Sequence, residues 1–156
     1  MKKLNSYLLT GILFVLITGT LAHFVYEWSG NNFILGFFFP VNESVQEHMK
    51  LCFFPMLVWS VFADRRLRSE MPCLRTALLA GILVSTFAVP ILFYGYTAIL
   101  GFHTLILDIA DFIISVLLGF WCVYRFGPGC RLEEYTTFFR NLVLLTAAFL
   151  VICTYL

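Results

Sequence analysis

Charge is what this sequence has least of. Its 156 residues carry ten Lys and Arg and nine Asp and Glu, 12% of the chain; soluble globular domains hold about a quarter. With 61% hydrophobic residues and a mean hydropathy of +0.92, a chain this short has too little polar surface to cover a core in water. Lipid must be part of its solvent. A net charge of +1 removes the electrostatic reason to expect nucleic acid or an acidic partner. The five cysteines (Cys52, Cys73, Cys122, Cys130, Cys153) form no CxxC and no zinc-ligand spacing. They read as small apolar residues or free thiols, so no disulfide framework is expected. Internal repeats and low-complexity linkers are also missing, leaving one transmembrane domain over residues 1–156.

What is present is apolar sequence in blocks. A helix needs about 20 mostly apolar residues to cross the hydrocarbon. Residues 7–26, 44–63, 76–100, 103–124 and 135–156 qualify, which predicts an all-α bundle of about five transmembrane helices. "DRRLRSEMP" follows the second block, Gly101 separates the third from the fourth, and "GPGCRLEE" precedes the fifth. The first block also has the basic start of a secretory signal, with Thr20 and Ala22 small enough for cleavage after Ala22. Read as a span, it continues into polar residues that belong to a later cluster.

Basic residues orient the blocks. Lys2, Lys3, Arg65, Arg66, Arg68, Arg75, Arg125, Arg131 and Arg140 all fall at one end of the predicted bundle, and only Lys50 falls elsewhere. Basic loops face the cytoplasm, so the amino terminus is expected inside and the carboxyl terminus outside.

The outer half then collects the chemistry. His23 and Glu27 close the first span; Glu43, Ser44, Glu47, His48 and Lys50 open the second; His103, Asp108 and Asp111 open the fourth. At about 1.5 Å per helical residue, Lys50 lies roughly 10 Å from Glu43 along its axis, and Asp111 about 12 Å from His103. A charge at mid-bilayer costs about 3 kcal/mol or more, so such residues turn inward, pair, and mark function. His23 and Glu27 share a face; Glu43, Glu47 and Lys50 make one stripe, with Ser44 and His48 beside it; Asp108, Asp111 and Ser115 make a third. Imidazoles and carboxylates are what zinc or a similar divalent cation binds. They are equally the parts of an acid/base pair or proton relay.

Simpler roles stand beside these. Ser44-x-x-Glu47 is a capping box. Glu43 suits a helix dipole, Lys50 suits an ion pair with Glu47 or an aspartate, and His23, Glu27 and His103 suit the water interface. Asp108 and Asp111, deep in apolar sequence, are hardest to place without partners. "WSGNNFILGFFFP", between the first two spans, is expected to lie in the outer interface as a lid over the cluster. Tyr94 and Tyr96 read as aromatic-belt residues. Pro55 and Pro90 sit mid-span, where each removes one backbone hydrogen bond and is expected to kink its helix.

The stretch "HFVYEWSGNNFILGFFFPVNESVQEHMKLCFFP", His23 to Pro55, resembles the signature of a family of small multi-pass bacterial membrane proteins that carries a domain-of-unknown-function label. Gln46 stands where that signature leads one to expect tryptophan. The resemblance implies a multi-pass protein of the bacterial plasma membrane and supplies no activity. Ser44-x3-His48 is also similar to the serine-and-histidine helix of ceramidase-like membrane metal hydrolases, although their later HxxxH pair is missing.

Three functions follow. The first is a metal-dependent intramembrane hydrolase acting on a lipid or amphiphile. In it His23, His48 and His103 hold the metal, Glu47, Asp108 or Asp111 serves as base, and Ser44 positions substrate. The second is a cation or proton binding or transport protein. The third is a non-catalytic assembly partner. The inner halves of the spans carry almost no polar residues, which counts against transport. Outer acids outnumber the outer fixed cation five to one, which counts against a purely structural network.

Overall fold

The computed structural model describes residues 2–155. The described residues contain no strand. They form α1 (Lys2–Trp28), a short α2 (Phe33–Gly36), α3 (Val45–Leu67), α4 (Leu74–Leu100), α5 (Leu105–Phe126) and α6 (Thr136–Ile152). Two 3-10 turns, Gly127–Gly129 and Glu133–Tyr135, bridge α5 and α6.

Among the described residues, four segments are long and apolar enough to cross a membrane: Lys3–Trp28, Leu74–Leu100, Leu105–Gly129 and Glu133–Ile152. They overlap the first, third, fourth and fifth apolar blocks of the sequence. α3 is 23 residues long but carries Glu47, His48 and Lys50 at one end and Asp64, Arg65 and Arg66 at the other, which lowers its apolar content. Its middle is nonetheless core, with Cys52, Phe53 and Met56 fully buried.

Local chemistry sets the helix limits. The Ser44 side chain accepts the Glu47 amide at 3.3 Å and caps α3, and Thr104 does the same for Leu107 at 3.4 Å on α5. α4 ends at Gly101, whose φ of 75° is the left-handed conformation that glycine tolerates. Threonines within α1 return their hydroxyls to the preceding turn, Thr18 to the Phe14 carbonyl at 2.6 Å among them. An apolar solvent requires every polar group to be satisfied internally in this way.

α4 and α5 pack closely along one seam. A Cβ at Gly81 would stand 2.8 Å from the Gly119 carbonyl oxygen, and one at Gly119 would stand 2.8 Å from that of Gly81. Ser85 and Ser115, each a turn away toward the other end, are also fully buried. This is small-xxx-small packing, which brings membrane helices together where lipid offers no hydrophobic drive. Around the seam, Phe53, Met56, Ile82, Val116 and Phe120 fill the core. Large apolar side chains point outward instead: Leu9, Leu13 and Ile17 on α1 are 53–63% exposed. So broad an apolar exterior belongs in a bilayer.

At the basic end, Cys73 and Cys130 form a disulfide, Cα atoms 5.0 Å apart. This corrects the expectation that no disulfide forms. Their separation of 57 residues carries no spacing cue, and only the fold brings the α3–α4 connection beside the turn after α5.

Candidate functional site

α3 reaches the acidic end with two different environments around its first turns. On one side, Glu47 and Lys50 are buried together, with Lys50 Nζ 2.7 Å from Glu47 Oε2. The ammonium also donates to the Gly36 carbonyl at 2.9 Å and to Thr154 Oγ1 at 2.8 Å. An ammonium has three protons, and all three are used. Glu47 Oε2 further accepts the Val41 amide at 2.9 Å. This knot ties α3 to the α2 segment and to the end of α6. The "WSGNNFILGFFFP" segment closes over it, Phe33 stacking on Tyr155 with ring centroids 4.6 Å apart. The expected lid therefore covers the lysine. Glu47 and Lys50 stand apart from the histidines.

On the other side are His23, Glu43 and His48. His23 Nε2 lies 3.5 Å from Glu43 Oε1, and His48 Nε2 lies 3.5 Å from Glu43 Oε2. The imidazole centroids are 5.3 Å apart, and one ligand atom from each residue falls within 4.8 Å of the others. Glu43 precedes the cap residue of α3, so helical periodicity does not govern it. It leaves the Glu47–Lys50 stripe and joins His48. The histidine side chains are 28% and 29% exposed and the glutamate 80%, so the group opens at the surface rather than within the core.

Proton positions make this arrangement informative. His48 Nδ1 lies 2.9 Å from the Ser44 carbonyl oxygen. A carbonyl can only accept, so Nδ1 carries a proton, and Nε2 is the nitrogen turned toward the Glu43 carboxylate. A cation or a proton between Nε2 and the carboxylate makes that contact attractive. Tetrahedral ligands about 2.1 Å from zinc stand roughly 3.4 Å apart; the two 3.5 Å contacts use different oxygens of Glu43, and one ligand atom from each residue lies within 4.8 Å of the others, so a shared ion would draw the three groups closer together. A backbone carbonyl holding the far nitrogen is also the usual support of a metal-bound histidine. His23 Nδ1 is buried with no partner among the described residues.

Beside the group is a cavity of about 260 Å³ lined by Glu43, His48, His103, Asp108 and Asp111 and walled by apolar residues of α3, α4 and α5. Asp111, 6% exposed, accepts the Ser115 hydroxyl at 3.3 Å. Asp108 is held from two sides: the Tyr96 hydroxyl donates to one oxygen, and His103 Nδ1 lies 3.3 Å from the other. That contact directs His103 Nε2 away from Asp108. His103 thus lines the cavity with the aspartates and is not in the His23–Glu43–His48 group. Glu27 is exposed, with no side-chain partner among the described residues. Ser44 acts through its backbone carbonyl and as a cap.

Two contributors take roles that sequence spacing does not give them. Spacing puts Glu43 in the helix stripe, and its position before the capping Ser44 is the signal that it lies outside. Tyr96 reads as a belt residue, and its spacing from Asp108 across Gly101 carries no signal. No curated protein and no solved structure matches the chain. A family match covers all of residues 1–156, and the chain belongs to the family described as Family of unknown function (DUF6512).

Proposed function

We propose that this is a five-span protein of the bacterial plasma membrane whose outer end holds a divalent cation, zinc or a similar ion, for hydrolysis of a lipid or amphiphile. His23, Glu43 and His48 are the ligands in this reading. The observation that carries it is the His48 ring, fixed by the Ser44 carbonyl so that Nε2 meets the Glu43 carboxylate. A cation bound there would supply Lewis acidity and lower the pKa of a bound water to about 7.

The chain's own residues account for the rest. Asp111, buried and held by Ser115, is the proton acceptor in the cavity. Asp108 keeps the His103 proton on Nδ1, leaving Nε2 to exchange a proton with a leaving group. Val45, Leu51, Val89, Phe93 and Phe112 give the same cavity an apolar wall that suits an amphiphile. Beneath Ser115 the core is apolar (Val116, Phe120, Val123), which favours a one-sided site over a transport path.

α3 is the remaining span in this reading, its polar ends meeting the two interfaces. Nine of ten basic residues lie at the end opposite the histidines, which orients that end inward. The Cys73–Cys130 disulfide lies at the same end and favours the reverse, since disulfides persist in oxidising compartments. We follow the basic residues, which put the Cys73–Cys130 disulfide on the inner side. Labelling a Cys153→Ser variant with an impermeant maleimide after mild reduction decides it: modification of Cys73 or Cys130 in intact cells would reverse the orientation.

The functional test uses purified protein in lipid nanodiscs, zinc-loaded or chelator-stripped, with amphiphiles bearing amide, ester or phosphodiester bonds. Metal-dependent release of a polar product is expected, lost in Asp111→Asn while its metal content stays. A fully loaded wild type that releases nothing would end the hydrolytic proposal and leave a cation-binding protein.

A further inference from the structure

The basic end has a cavity of its own. A groove of about 380 Å³ lies between α3, α4 and α6, and Arg65, Arg68, Arg75 and Arg140 all line it. They come from three helices, so the fold, and no single basic run, gathers them. None of the four makes an ion pair among the described residues, although Lys3 and Glu70 do pair at the same end. Asp64 is the acid in the groove, which leaves an excess of three positive charges over the lining. Arg66, Arg125 and Arg131 belong to the same end and lie outside it.

The groove is amphiphilic along its length. Beyond the arginines its walls are Leu57, Val61, Ile82 and Leu144. Leu144 is 62% exposed, so this wall opens sideways where lipid lies. At the change from charged to apolar lining, Ser60 Oγ and Asp64 Oδ1 are buried without a hydrogen-bond partner. Ser60 is 6% exposed, and a buried hydroxyl normally finds a partner. An acceptor oxygen from outside the protein would satisfy it. Several guanidiniums, a free donor and an apolar trough fit one class of ligand: a phosphate-bearing headgroup with an acyl chain attached.

We propose that this groove binds an anionic phospholipid of the adjoining leaflet, its phosphate among the four arginines and an acyl chain along Leu57, Val61 and Leu144. The site is separate from the histidine cavity and does not depend on a metal there.

The test is native mass spectrometry and thermal shift of delipidated protein with phosphatidylglycerol, with phosphatidylcholine of the same chains, or with inorganic phosphate. Phosphatidylglycerol should bind one to one, at least tenfold tighter than phosphatidylcholine, with inorganic phosphate far weaker than either. Arg75→Gln combined with Arg140→Gln should weaken it tenfold or more. Arg131→Gln, at the same end but outside the groove, should not. Leu144→Trp should narrow the trough and weaken lipid while leaving weak phosphate binding unchanged. Circular dichroism and the lipid-free melting temperature confirm that each variant folds. Equal binding of both lipids, equal losses in Arg131→Gln and the double variant, or phosphate as tight as lipid would each overturn the proposal.

Discussion

The first turns of α3 carry two polar constellations that look alike as sequence and differ as structures. Glu47 and Lys50 form a closed knot in which every ammonium proton has an acceptor. Glu43 and His48 belong to an open group in which His48 Nε2 faces a carboxylate and His23 Nδ1 has no partner among the described residues. A buried pair whose ammonium is fully bonded fixes packing, even though Glu47 Oε1 has no partner among the described residues. An open group at the mouth of a cavity leaves room for a ligand. Our proposal therefore gives function to the second and architecture to the first, although Glu47 and His48 are neighbours on α3.

Removing one partner of the knot should give the largest effect. Lys50→Met leaves Glu47 buried and uncompensated, and breaking a buried pair costs about 3–5 kcal/mol. Thermal unfolding in detergent should show a steep loss, with much of it recovered when Glu47→Leu is added. A small effect in the single variant would erase the distinction between the two constellations.

The open group should respond the other way. His48→Ala and Glu43→Gln should abolish stoichiometric zinc, measured by elemental analysis after purification, while the metal-free protein melts near the wild-type temperature. The affinity loss should exceed the about 10–100-fold typical of an outer-shell partner. Metal retained in both variants would move the site elsewhere.

Ser44→Ala is the smallest and sharpens the comparison. It removes an N-cap worth about 1 kcal/mol. The Ser44 carbonyl that orients His48 stays, so metal content should not change. Zinc lost on Ser44→Ala would mean that the hydroxyl itself binds metal or substrate.

Much of the fold could be read in the sequence because lipid imposes a coarse rule: long apolar blocks become helices, and their limits follow Gly101, Ser44 and the "GPGCRLEE" turn. α3 is the instructive element, less apolar than its neighbours because both of its ends carry function or charge. The site was legible to the level of which residues share an end of the bundle. Which of them touch was not, for reasons particular to each. Glu43 lies outside the helical register that would group it with Glu47. His103 shares the outer end with the other histidines and is held by Asp108 across a turn. Cys73 and Cys130 meet only through tertiary packing, as do the four arginines of the basic groove.

The central claim is that His23, Glu43 and His48 bind one divalent cation. The most direct measurement is an anomalous difference map at the zinc edge from crystals grown with equimolar zinc. The account predicts a single strong peak about 2.1 Å from both His23 Nε2 and His48 Nε2 and within bonding distance of the Glu43 carboxylate. A map with no peak there, or with its main peak between His103 and Asp108, would contradict it.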